Sequence, residues 1–211
     1  RFSKSEMKSR NASYFRNFAS SCKFQCTYSF GSDHIVKENY YRENGGIIFP
    51  NPNAPTGICQ ELKDVEDIIS HNQDVIVIVD EAYIDFGGTS AKALIQKYDN
   101  LLVVQTYSKS RSMAGLRVGY AMGNKALIKY LNDVKYSFNS YTMNLPSIEL
   151  GARSLLEEAY FRDTTGKLIA TRERMKRELS RLGFSFPDSK ANFLFVTHEQ
   201  IAARDLYEAL K

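Results

Sequence analysis

Val75-Ile76-Val77-Ile78-Val79-Asp80-Glu81-Ala82-Tyr83 is the stretch from which the fold can be read. Its five consecutive β-branched residues show neither the alternation of a half-buried strand nor the period of a helix. The run therefore predicts a strand buried on both faces inside a parallel sheet. It ends in two carboxylates. Ligands of open α/β sheets lie beyond the carboxyl ends of the strands, so Asp80 is placed to meet one; the plainer alternative is an aspartate that caps the next turn.

On the N-terminal side, Ile47-Ile48-Phe49 reads as a short buried strand. It stops at Pro50-Asn51-Pro52-Asn53-Ala54-Pro55-Thr56-Gly57, where the prolines exclude both a helix and a central strand. Leu62, Val65, Ile68 and Ile69 then recur at helical spacing over 60–71, and with the strand at 75–79 they complete a right-handed β-loop-α-β unit. On the C-terminal side, Gly87-Gly88 marks a loop, Ala91 to Lys97 a short helix, and Leu101 to Gln105 the next buried strand, which runs into Thr106-Tyr107-Ser108-Lys109. Val118 to Met122 predicts a further strand. Helices are expected from Lys125 to Asp133 and from about Ser147 to Tyr160. A charged helix follows from about Thr165 to Arg181, with Leu168, Ile169, Met175 and Leu179 inward and Gly183 closing it. Asn192 to Val196 reads as a strand and Ile201 to Leu210 as a helix. Three regions result: a poorly legible segment 1–44 with a candidate strand from Lys23 to Phe30, a large domain 45–164, and a linking helix with an incomplete small domain 165–211.

The 211 residues, 43% hydrophobic and 25% charged, suit a globular protein with a sizeable core. A net charge of +4, with the basic residues dispersed, does not argue for nucleic acid, and no apolar run reaches the roughly 18 residues of a membrane span. Cys22, Cys26 and Cys59 are odd in number and lack metal-ligand spacing, so they read as reduced thiols and no metal site is expected. His34, His71 and His198 are scattered and are assigned surface or structural roles. The first thirty residues, rich in Ser, Arg and Lys with Glu6 as their one acid, superficially resemble a transit peptide, but the expected location is the cytoplasm. Because the chain begins at Arg1 and stops at Lys211 inside an amphipathic pattern, it reads as a piece of a longer polypeptide.

Three strand ends deliver an Asn/Pro loop, an Asp with a Tyr three residues on, and a Ser-Lys pair to one sheet edge. Lys109 follows a hydrophobic strand, so its amine is expected to be partly desolvated and near other cations, the conditions that make a lysine nucleophilic. Arg117, in Ala114-Gly115-Leu116-Arg117-Val118-Gly119-Tyr120, could grip a phosphate with the hydroxyls of Thr106 and Ser108. A lysine for an aldehyde, an aspartate for a ring nitrogen, a tyrosine for an oxygen and a phosphate cradle together meet the needs of pyridoxal 5'-phosphate.

In these motifs, taken in order over roughly 45–211, the chain resembles the fold-type I aminotransferases, and within them the histidinol-phosphate aminotransferases. The resemblance implies an α/β fold like that of aspartate aminotransferase: a three-layer α/β/α large domain with a mostly parallel sheet, plus the start of a small α+β domain. It implies that Lys109 carries pyridoxal 5'-phosphate covalently, Asp80 pairs with the ring nitrogen and Tyr83 bonds the phenolic oxygen. Ser108, Arg117 and Thr106 would hold the phosphate. The family's usual Asn before Pro-Thr-Gly is Ala54 here, so its contact to the ring oxygen is either absent or supplied by Asn53 or Tyr83. The implied partners are an amino donor (histidinol phosphate) and a 2-oxo acid (2-oxoglutarate), and the implied assembly is a homodimer. The same motifs admit an aromatic aminotransferase, a phospho-amino-acid decarboxylase, or a non-catalytic module that only binds the cofactor. The family's upstream phosphate segment has no convincing counterpart, since Gly31-Ser32-Asp33 stands too close to Pro50, and its substrate arginines would lie beyond Lys211.

Overall fold

The computed structural model describes residues 37–211. The β-branched run folds as β2 (Val77–Asp80), with β1 (Ile47–Pro50) and β3 (Leu101–Thr106) parallel to it on either side. β4 (Gly119–Gly123) adds antiparallel to β3, so the order is β1-β2-β3-β4 and the sheet is mostly parallel, as expected for the α/β class. Pro50, Asp80 and Val104 stand level across the sheet, which brings the three parallel strands to a common carboxyl edge.

One face of this sheet carries the core. α1 (Leu62–Ser70) lays Val65, Ile68 and Ile69 on Ile47, Phe49, Val77, Val79, Leu101 and Val103, all fully buried or nearly so, and Tyr40, Ala91 and Leu94 complete the cluster. The turn from α1 into β2 is held by two asparagines, Asn72 within it and Asn100 just before β3. Asn72 donates to the Ile68 carbonyl (2.8 Å), and the Asn100 amide reaches the carbonyls of Asn72 (2.9 Å) and Val75 (3.1 Å), so the turn's acceptors are met by side chains. Burial of the run on both faces is not what the described residues provide. Val77 and Val79 are sealed, whereas Ile78 is half-buried, Ile48 is exposed and Ile76 is 44% exposed. The second face has less of the described chain over it.

Several local expectations are corrected. The helix read over Ala91 to Lys97 is a 3-10 turn, Ala91–Leu94, capped by Ser90 Oγ accepting from Lys92 N (3.1 Å). α2 (Lys125–Phe138) is longer than expected. The single helix expected near Ser147 to Tyr160 is α3 (Leu145–Ser154) followed by the start of α4 (Glu158–Arg181). The break has a cause: Arg111 Nη1 donates to the Ser154 carbonyl (2.8 Å), the acceptor that a continuous helix would offer to residue 158. On α4, Leu168 and Met175 are exposed, and the inward stripe is polar: Thr165, Arg172 and Lys176. The helix docks on backbone carbonyls and a carboxylate rather than on an apolar layer, which favours cations on its inner face. Residues 192–196 form no strand, because Ser189 Oγ accepts from Ala191 N (3.1 Å) and donates to the Phe193 carbonyl (2.7 Å), holding a turn. The pairing instead flanks that segment, between β5 (Phe184–Ser185) and β6 (Thr197–His198), before α5 (Ala203–Leu210). Gly183 ends α4 as expected, with a φ of +85°. The strand expected from Lys23 to Phe30 lies outside the described residues.

Candidate functional site

The loop after β1 is built by its own side chains. Asn51, fully buried, accepts from Gln60 N at Oδ1 (2.7 Å), while Asn53 Oδ1 accepts from Thr56 Oγ1 (2.8 Å) and Thr56 N (3.3 Å). The Asn53 main chain closes the turn by bonding with Ile58 O and Gly57 N, both at 2.7 Å. Gly57 sits at φ +77°, where a Cβ would stand 2.2 Å from Ser189 Oγ, and its carbonyl accepts from Lys190 N (2.8 Å). Only glycine fits that contact. The Asn/Pro loop is thereby locked to the segment after β5, and the Asn53 amide nitrogen has no partner among the described residues.

Asp80 closes β2. Its Oδ1 accepts from Ala82 N (3.0 Å), the turn-capping role weighed as the alternative for it. That bond occupies one oxygen, and the other has no partner among the described residues. Glu81 points the opposite way. It is 1% exposed and accepts from Ser90 Oγ (2.6 Å), Ala91 N (2.6 Å) and Gln105 Nε2 (2.7 Å). Burial pushes its carboxyl above the ordinary glutamate range, against the pull of those three donors. Gln105 Oε1 in turn accepts from Tyr120 Oη (2.5 Å), so this network ties the end of β3 to β4 and to the loop beyond β2. Glu81 is structural, and its neighbour Asp80 is left to face the edge.

Lys109 stands on a lobe, residues 107–118, between β3 and β4. The lobe is closed at its foot by Tyr107 N to Val118 O (3.0 Å) and across its middle by Met113 N to Tyr107 O (3.0 Å). Lys109 is exposed rather than desolvated, because it stands on the lobe past Thr106, the last residue of β3, and not within the buried strand. Its Nζ lies 5.2 Å from the centroid of the Tyr83 ring, and that ring packs edge-on against Phe193 at 5.0 Å. Ser108 N donates to Thr106 Oγ1 (3.1 Å), whose own proton serves either Ser108 Oγ (3.0 Å) or the Val118 carbonyl (3.3 Å). These bonds bring Thr106 and Ser108 beside the residue that follows Arg117. Arg117 itself is exposed in the left-handed region (φ +56°), with Nη1 on the Ala114 carbonyl (3.0 Å) and the rest of its fork without a partner among the described residues. Nothing lies within 4 Å of where a Gly115 Cβ would stand, so the lobe is open at that residue.

The structure thus joins Tyr83 with Lys109, and Thr106 with Ser108, on one edge, with Asp80 on the neighbouring strand and Asn53 on the loop beyond it. Three contributors were not anticipated. The residue pattern places Phe193 in a strand. Ser189 carried no signal. Arg172, 6% exposed, donates from Nη1 to the carbonyls of Phe86 (2.7 Å) and Ala191 (2.9 Å), and so holds the turn after Tyr83 to the segment that carries Phe193. An arginine inside a helix this rich in charge gives no sequence sign of burial.

A mostly parallel sheet with a lysine on the turn after one strand and an aspartate at the end of the next is the arrangement of α/β enzymes that hold a ligand at the carboxyl edge. The profile for aminotransferase class I and II matches residues 15–211, and the chain belongs to that family. The chain is 53% identical over 181 residues to the histidinol-phosphate aminotransferase of Brachyspira hyodysenteriae, which covers 85% of this chain and 51% of that protein. It is 52% identical over 172 residues to that of Lactococcus lactis subsp. cremoris (strain SK11), covering 82% and 48%. The crystal structure of the histidinol-phosphate aminotransferase from Clostridium acetobutylicum superposes with a TM-score of 0.72 at 25% identity, over 78% of this chain and 51% of that one. The chain spans about half the length of the curated relatives it matches.

Proposed function

We propose that this chain is the cofactor-holding portion of an aminotransferase that uses pyridoxal 5'-phosphate, with histidinol phosphate as amino donor and 2-oxoglutarate as the accepting 2-oxo acid. The observation that carries the reading is Lys109 Nζ beside the Tyr83 ring, on the sheet edge where Asp80 keeps one carboxylate oxygen without a partner. The donor set suits the group: an amine for the aldehyde, a carboxylate for the ring nitrogen, and a phenol and an amide for the ring oxygen. For the phosphate there are two hydroxyls and a largely free guanidinium fork. The names of the relatives support the choice of donor.

Pyridoxal 5'-phosphate, when bound, supplies an electron sink that lets the substrate's Cα lose its proton. Asp80 holds a proton on the ring nitrogen. Tyr83 and the Asn53 amide orient the ring by donating to its oxygen, and Arg117, Ser108 and Thr106 anchor the phosphate. Lys109 would hold the group through its amine, and its Nζ would take up and return the substrate's α-proton. The proposal includes a large domain at 45–164, with 165–211 as the linking helix and the beginning of a small domain, a homodimeric assembly, and a cytoplasmic location. Among the described residues no helix is long and apolar enough to cross a membrane.

Borohydride reduction of the protein mixed with pyridoxal 5'-phosphate, followed by peptide mapping, should find the label on Lys109. A label on any other lysine would overturn the assignment.

A further inference from the structure

The residue after Lys109 is turned in the opposite sense. Ser110 is 4% exposed, and its Oγ donates to Asp85 Oδ2 at 2.5 Å. Asp85 lies two residues beyond Tyr83, in the 3-10 turn Ile84–Phe86, which closes on itself through Phe86 N to Tyr83 O (3.2 Å). The same turn is fixed from behind, since Phe86 is buried and its carbonyl takes the Arg172 guanidinium. One residue further along the lobe, Arg111 leaves on the other side, its guanidinium 4.2 Å from the Phe161 centroid and bonded to the Ser154 carbonyl. Lys109 thus follows Ser108, whose N–H is tied to Thr106, and precedes a hydroxyl tied to the turn that carries Tyr83. Asp85 takes no part in the chemistry outlined above.

We propose that Asp85 is a positioning residue: by accepting from the buried Ser110 hydroxyl it fastens the lobe to the Tyr83 turn and sets where Lys109 Nζ stands relative to the Tyr83 ring. This inference rests on Lys109 being the attachment point. Two loops that meet at a strand edge can slide past one another unless something joins them, and a displacement of about 1 Å is enough to cost a reaction roughly a hundredfold. The Ser110–Asp85 hydrogen bond joins side chains of the lobe and of this turn, and it lies next to the amine concerned.

The test is the rate of attachment of pyridoxal 5'-phosphate to the full chain. Condensation of Nζ with the aldehyde carbon releases water and leaves a C=N bond, which a borohydride quench reduces by adding hydride. Asp85→Ala should slow the trapped label at Lys109 by about tenfold to a hundredfold. Affinity for pyridoxine 5'-phosphate, which keeps the phosphate and lacks the aldehyde, should stay within about twofold, because the phosphate contacts are not on this bond. Ser110→Ala should match it from the donor side, and the double variant should be no slower than either single one. Asp85→Asn, which still offers Ser110 an acceptor, should restore most of the rate. Wild-type labelling in the folded Asp85→Ala and Ser110→Ala variants would overturn the proposal, as would an equal loss of pyridoxine 5'-phosphate affinity or an Asn variant no better than Ala. A wild-type label found on another lysine would instead retract the attachment reading, which separates the two failures.

Discussion

Replacing Arg172 with methionine tests whether the site is held from behind by the α4 helix. The substitution keeps an unbranched stem of similar packing volume and removes the guanidinium, so what is lost is polar. Two buried carbonyls, Phe86 and Ala191, lose a charged donor at 2.7 and 2.9 Å, and Glu173 loses a partner at 2.9 Å. Each hydrogen bond from a charged donor contributes about 1.5–3 kcal/mol, and a buried acceptor left unmet costs about 1–3 kcal/mol. The Glu173 contact adds little, because that carboxylate is 42% exposed. The expected loss is about 3–5 kcal/mol, a large share of the roughly 5–15 kcal/mol that holds an ordinary domain together. With no tryptophan in the chain, unfolding in urea is best followed by far-ultraviolet circular dichroism, with midpoint and slope fitted together. Arg172→Lys, which can reach only one of the two carbonyls well, should fall between. A methionine variant within about 1 kcal/mol of the parent would refute the reasoning, since it would mean that neither carbonyl depends on the guanidinium.

Asp80→Ala should cost about 3 kcal/mol in the barrier to transamination while cofactor still binds, and near-normal turnover would remove Asp80 from its role. Arg117→Lys exchanges a fork for a point charge, so it should weaken pyridoxal 5'-phosphate binding and leave unphosphorylated pyridoxal almost unchanged; equal losses in a titration would count against a phosphate contact. The raised Glu81 carboxyl gives a pH signature. Its contribution to stability is complete below the ordinary glutamate value near 4.3 and fades as pH rises through the folded value, because the folded chain holds that proton more tightly. Denaturation midpoints of wild type and Glu81→Gln should therefore change in their difference across that window, with the wild type losing ground as pH rises, and a constant difference would rule the assignment out.

The carboxyl edge was legible in the residues because it depends on short-range facts. The β-branched run, the proline-studded loop and the Ser-Lys pair each announce a strand end, and the strands place Asp80 and Thr106 at that edge. What failed depended on partners distant in sequence. The inner face of α4 could not be read as Thr165, Arg172 and Lys176, because the partners of its two cations are main-chain oxygens at Phe86, Ser189 and Ala191 and the Asp188 carboxylate, which the helix's own pattern does not record. The break after Ser154 has the same origin, since the interrupting guanidinium comes from Arg111, 43 positions away. Asn192 to Val196 has a strand's composition, but the Ser189 hydroxyl holds it in a turn.

Because β4 runs back along β3, the lysine proposed for the aldehyde and the arginine proposed for the phosphate share a single hairpin, eight residues apart. Their spacing is a property of one short excursion of chain, closed at its foot by Tyr107 and Val118, and owes little to how the distant parts of the molecule are threaded. Loop closure over so few residues is fast and entropically cheap, so this pair can be set in place early in folding, before the sequence-remote contacts around Arg172 form. The same locality makes the hairpin a module: an insertion or deletion outside it leaves the reach between aldehyde and phosphate untouched, while a single residue added within it shifts both ends at once.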